Sequence, residues 1–100
     1  MLLGLDHVQI AMPLGEETKA RAFYADLLGL SEIAKPPILA ARGGVWFSLP
    51  DGRGLHLGVE EPFVRAKKAH LAFGAANLDI LAGHLSSAGV PVFVDVCRDA

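Results

Sequence analysis

The sequence predicts an α+β fold of paired βαβββ modules, the second module incomplete. Three observations predict it. Apolar and polar residues alternate in several short runs, which is the period of a half-buried strand. Two longer stretches carry apolar residues at three- and four-residue steps, and each ends in a glycine. The strand and helix that open the chain at His7 then begin again at His70.

The elements follow in order. Residues 5–12 alternate, with Val8, Ile10 and Met12 on one face and His7, Gln9 and Ala11 on the other. Pro13 and Gly15 break that strand. Residues 16–28 carry the stripe Ala20, Phe23, Tyr24, Leu27 and Leu28, with Glu16 and Glu17 at the positive end of the helix dipole and Gly29 as the stop. Phe23 and Tyr24 are expected to pack on the sheet. Residues 31–35 form a short strand ended by Pro36 and Pro37, and residues 38–42 are ambiguous between states. Gly43-Gly44 opens a strand at 45–49, the turn Pro50-Asp51-Gly52-Arg53-Gly54 follows, and 55–60 returns as the second arm of an antiparallel hairpin. Leu55, Leu57 and Val59 share one face of that arm, and His56, Gly58 and Glu60 the other.

Residues 61–67 form a polar connection between the halves. Residues 68–75 are expected to be a strand, with Leu71 and Phe73 on the apolar face and His70 on the other. Asn77 or Asp79 caps a second helix to about Ala88, with the stripe Leu78, Leu81, Ala82 and Leu85 and Gly89 as the stop. A last strand is expected at 90–96. The reading is one domain over 1–100, with a first module at 1–60 and a partial second module at 68–100.

Composition narrows the class of function. Leu, Ile, Val and Phe make up about a third of the chain, enough to order a core. The net charge of −2 leaves no basic footprint for nucleic acid. No uncharged apolar run is long enough to span a bilayer, and the first residues lack the basic start of a secretion signal. The single cysteine, Cys97, has no internal partner for a disulfide. A reducing cytoplasm is therefore the expected location, and a cysteine-rich zinc site is excluded.

Aligning His7 with His70 brings the two halves into register, a strand with a marked histidine and then a helix ending in glycine. The opening Leu5-Asp6-His7-Val8-Gln9-Ile10, the helix end Phe23-Tyr24-Ala25-Asp26-Leu27-Leu28-Gly29-Leu30 and the restart Ala69-His70-Leu71-Ala72-Phe73 together resemble the vicinal-oxygen-chelate superfamily. That group holds glyoxalases, extradiol dioxygenases and bleomycin-resistance proteins. The resemblance implies half-cup units closing around a divalent metal, Fe, Mn, Ni or Zn, which chelates two oxygens of a small substrate. It implies His7 and His70 as metal ligands, and His56 at a position where relatives often carry Glu or Gln. The remaining ligand is usually a Glu on an eighth strand, for which these residues offer no counterpart.

Read from the residues alone, His7, His56 and His70 each lie on the less apolar face of a strand. Neutral imidazole offers a lone pair without a charge to desolvate, which suits such ions. Each is equally compatible with the polar face of an open sheet. Gln9, Trp46 and Glu60 are the candidate substrate contacts, Trp46 by stacking and Glu60 as the nearby carboxylate on the same face. No catalytic base is assigned. His84 is expected at a helix boundary, Cys97 as an incidental thiol, and Arg65, Lys67 and Lys68 as a solvated loop. Three functions are consistent with these residues. One is a metal-dependent enzyme of the glyoxalase or dioxygenase type. Another is a metal-free protein that sequesters a small molecule, and the third is a shortened, inactive relative. The bare sheet edge left by a partial second module predicts a homodimer.

Overall fold

The computed structural model describes residues 1–94, in two compact units divided between Ala66 and Lys67. Asp95 and Val96 of the expected last strand, and Cys97, lie outside the described residues.

The first unit has the predicted βαβββ order. Its strands are β1 (His7–Met12), β2 (Ser31–Ile33), β3 (Val45–Ser48) and β4 (Gly54–Val59), in the sheet order β1-β4-β3-β2. The hairpin β3–β4 is antiparallel, as its turn sequence requires. Asp51 ties the turn by accepting the Arg53 amide at 2.9 Å, and Gly52 turns with φ +87°. β1 lies parallel to β4, with His7 opposite Gly54 and Gln9 opposite His56. The sheet is therefore mixed.

Alternation sorts this sheet into two faces. One carries Met12, Val45, Phe47, Leu55 and Leu57, all buried, with Phe47 fully so. Each such side chain contributes about 1.5–3 kcal/mol on leaving water. The Tyr24 ring covers Phe47 at a centroid distance of 5.6 Å, and Phe23 meets Tyr24 edge-on at 4.9 Å, so the expected packing of the helix on the sheet holds. The opposite face carries His7, Gln9, Trp46, His56 and Gly58.

The expected helix over 16–28 is α-helical only at α1 (Glu17–Ala20). It continues as a π-helical segment at Arg21–Leu27, where the Leu28 amide donates to the Phe23 carbonyl at 3.0 Å. Phe23 and Leu28, five residues apart, fit the wider turn as well as Phe23 and Leu27 fit the ordinary one, so apolar spacing does not separate the two. Arg21 Nε donates to Glu32 Oε1 at 2.9 Å and ties this segment to β2. The ambiguous stretch before the hairpin resolves as α2 (Pro37–Ala40), with proline in the first turn where its missing N–H costs nothing.

The second unit is built on α3 (Leu78–Ser87). Asn77 caps it, its Oδ1 accepting the Ile80 amide at 3.0 Å. At the other end the Val90 amide reaches the Leu85 carbonyl at 3.0 Å while Gly89 sits at φ +84°, a Schellman closure at the predicted stop. Two expectations fail here. Residues 68–75 and 90–94 form no ladder among the described residues. Alternation states which face a strand would bury, but a strand exists only where a neighbour takes its N–H and C=O groups. Phe73, expected on a covered face, is 43% exposed.

Candidate functional site

The polar face of the first unit carries a stack of three rings. Trp46 and His56 come from neighbouring positions on β3 and β4, and their ring centroids are 3.8 Å apart with planes 6° from parallel. His7 reaches across from β1 and covers the other side of His56, at 4.2 Å and 17°. His7 pairs with Gly54, two residues from His56, so the two imidazoles are diagonal neighbours on one face. Gly54 leaves the room for this, since a Cβ there would crowd His7 and His56 at 3.0 Å each. His56 is thereby buried, and desolvation, then the neighbouring His7, holds its pKa below the ordinary value of 6.5.

Hydrogen bonds distinguish the histidines. His7 Nδ1 bonds Asp6 Oδ2 at 2.9 Å. In the second unit, His70 Nδ1 bonds the Lys68 carbonyl oxygen at 2.8 Å. A carbonyl oxygen only accepts, as does an ionised carboxylate, so in each neutral ring Nδ1 carries the proton and Nε2 keeps its lone pair. Metal-binding histidines use this arrangement, in which an oxygen behind the ring fixes tautomer and direction. Each of the two rings, taken in its own unit, therefore has the tautomer that binds an ion through Nε2. His56 is set differently. Its plane is nearly parallel to that of His7, so the in-plane lone pairs of the two rings run side by side and do not converge on one ion. His56 is the middle layer of the stack. Among the described residues of the first unit, no three His, Cys, Asp or Glu side chains are grouped to hold a metal ion.

The substrate candidates divide. Gln9 and Trp46 line one cavity of about 270 Å³, together with Lys35, Arg42, Gly58 and Val59. The Gln9 amide lies over Gly58, where a Cβ would come within 2.8 Å of it. Glu60 does not line this cavity. It continues the β1–β4 ladder one step past Met12, donating its amide to the Met12 carbonyl at 3.0 Å. That position is six residues along the strand from the His7 rung, about 20 Å away.

Three participants were missed. Asp6 adjoins His7, and neighbours within a strand point to opposite faces. Asp6 precedes the first residue of β1, however, so its side chain is free to turn back. Lys35 ends the expected strand at 31–35 and Arg42 ends the ambiguous stretch at 38–42, and the short helix between them brings both to one cavity. Double glycine was the available signal there. The Gly44 amide donates to Glu17 Oε2 at 2.8 Å, and Lys35 Nζ donates to the Gly43 carbonyl.

Neither a family profile nor a curated protein sequence matches the chain. Solved structures do. A crystal structure of a glyoxalase family protein from Bacillus anthracis is 43% identical, covering 98% of this chain and 80% of that one, with a TM-score of 0.92. The chain belongs to the glyoxalase family. Membership places it in the vicinal-oxygen-chelate superfamily, as the paired histidine landmarks implied. More distant structures share the fold of this glyoxalase-family chain. The fosfomycin resistance protein FosX of Listeria monocytogenes is 18% identical over 99% of this chain and 75% of its own, with a TM-score of 0.72. The oxidase ChaP-H2 is 19% identical over 89% and 65%, with a TM-score of 0.61. A variant of FosX was solved with Mn(II) and 1S,2S-dihydroxypropylphosphonic acid. Among the described residues of the chain, no helix is long and apolar enough to cross a membrane.

Proposed function

We propose that the protein is a metal-dependent enzyme of the glyoxalase type, acting on a small molecule that presents two oxygens to a divalent ion. His7 in the first unit and His70 in the second are each set to give Nε2 to such an ion. One observation carries this reading: both rings give Nδ1 to an acceptor-only oxygen and keep Nε2 open. Family membership and the Mn(II) bound by FosX support a divalent ion of the Mn, Fe, Ni or Zn group. Such an ion supplies a Lewis acid that stabilises negative charge developing on a substrate oxygen.

The chain's own residues do the rest. The Asp6 carboxylate orients His7 and keeps its proton on Nδ1. His56, clamped by Trp46, holds the His7 ring from its face. Gln9, two rungs further along the sheet, offers an amide to the bound molecule. A homodimer in the cytoplasm fits this reading, since β1 ends the sheet of the first unit and has one unpaired edge there. Sedimentation at micromolar concentration checks it.

Metal content and calorimetric Mn(II) titration test the function. The expected result is saturable binding by the wild-type chain, weakened at least tenfold in His7→Ala and in His70→Ala. A wild-type protein that stays metal-free under Mn, Fe, Ni and Zn loading, yet binds a small ligand, overturns the enzyme reading in favour of sequestration.

A further inference from the structure

The cavity beside Gln9 has a chemistry that the metal reading does not use. Two cations reach it. Lys35 is half-buried and spends one proton on the Gly43 carbonyl, which leaves the rest of its ammonium group for a ligand. Arg42 is exposed at the rim, and its guanidinium makes no hydrogen bond or ion pair among the described residues. No carboxylate lines the cavity. Glu17, behind the Gly43 wall, accepts the Gly44 amide, which first, and the charges of Arg21 and Lys35 more weakly, hold its pKa below the ordinary value. Its other walls include the Trp46 ring, the Gln9 amide, and apolar Leu39, Leu57 and Val59. A planar fork, an ammonium and an amide around a small void suit a group with several acceptor oxygens and a negative charge.

The cavity's place on the sheet fixes its relation to His7. Its near wall, Gln9 and Trp46, lies on the rung of His56, two residues past the rung of His7. Its far wall, Gly58, lies two residues beyond that. At about 3.3 Å per residue the cavity runs from about 7 to about 13 Å along the strands from His7.

We propose that this cavity receives a terminal oxyanion of the substrate, a carboxylate or phosphonate, while the oxygens at the other end of the same molecule reach His7. The substrate class is then a short anionic compound rather than a neutral one. The inference rests on the glyoxalase-type reading for the position of the reacting oxygens. The binding of the anion itself does not.

The test therefore runs without metal, on the full chain in EDTA, and reads the emission of Trp46, the sole tryptophan. Propylphosphonate, butyrate and neutral butyramide are titrated in turn. The expected result is a saturable change with one or both anions, the tighter identifying the headgroup, and none with butyramide. Arg42→Glu weakens the anion at least tenfold, while Lys67→Glu, a charge reversal in the other unit, leaves it unchanged. Absence of saturation with both anions overturns the proposal. So does equal weakening by the two reversals, which marks diffuse attraction and not a site. Loss of Mn(II) binding in His7→Ala with anion binding intact supports both readings together. Anion binding by a wild-type chain that takes no metal supports the cavity and retires the metal.

Discussion

The indole of Trp46 lies flat against the imidazole of His56, their centroids 3.8 Å apart. With His7 on its other side, His56 has both faces covered by rings, one from each neighbouring strand. A residue on the polar face is thus buried, though less deeply than the core on the other face. Its burial comes from flat surfaces meeting, not from apolar character.

Removing the middle ring tests that stack. His56→Ala is expected to lower stability by about 1–3 kcal/mol, the sum of two ring contacts, while His56→Phe retains most of it. Urea denaturation followed through Trp46 emission measures both.

Acid should loosen the first unit through Glu17. The Gly44 amide holds this carboxyl below its ordinary value of 4.5. The unfolded chain takes up the proton first, so the stabilisation is complete above pH 4.5 and is lost as pH falls through the lower folded value. Glu17→Gln is expected to cost about 1 kcal/mol at neutral pH and to flatten the acid limb of a stability–pH curve.

Asp6 should matter to metal and not to folding. Its carboxylate is almost fully exposed, so Asp6→Ala is expected to change stability by less than about 0.5 kcal/mol. Mn(II) affinity is expected to fall about 10–100-fold, because the His7 ring loses the acceptor behind it. Calorimetry and thermal melting on the same sample separate the two effects.

Gly44 and Gly58 should respond to an added methyl by very different amounts. Gly44 holds φ +89°, and a Cβ there would overlap the Leu57 carbonyl oxygen, so Gly44→Ala is expected to cost about 3 kcal/mol or more. Gly58 has ordinary backbone, and its added Cβ would meet only the movable end of Gln9. Gly58→Ala is expected to cost about 1 kcal/mol or less. Soluble yield and melting temperature compare them.

The first unit was largely legible in the sequence. The alternation of Val8, Ile10 and Met12 and the turn at Asp51-Gly52 are local signals that produced the elements they signal, and the stripe through Phe23 and Tyr24 placed a helix whose pitch it did not report. The segment around His70 was not legible in the same way. Its alternation is as clean as that of β1, but pairing is a property of two segments, and one segment's sequence cannot report its partner. The π-helical turn escaped because apolar spacing tolerates either pitch. The shared face of His7 and Gln9 was readable from their alternation in β1. The stacking of His56 was not, because it depends on the register between β1 and β4.

That register has a kinetic side. β3 meets β4 across a tight turn, whereas every β1 residue meets a partner 47 positions downstream. Closing so long a loop costs entropy that the hairpin avoids, so the hairpin should assemble early and β1 should dock last. Trp46 and His56 can then find each other in a nascent chain well before His7 arrives. Capacity to grip an ion would accordingly switch on with the final step of assembly, and binding competence would serve as a clock for completed maturation.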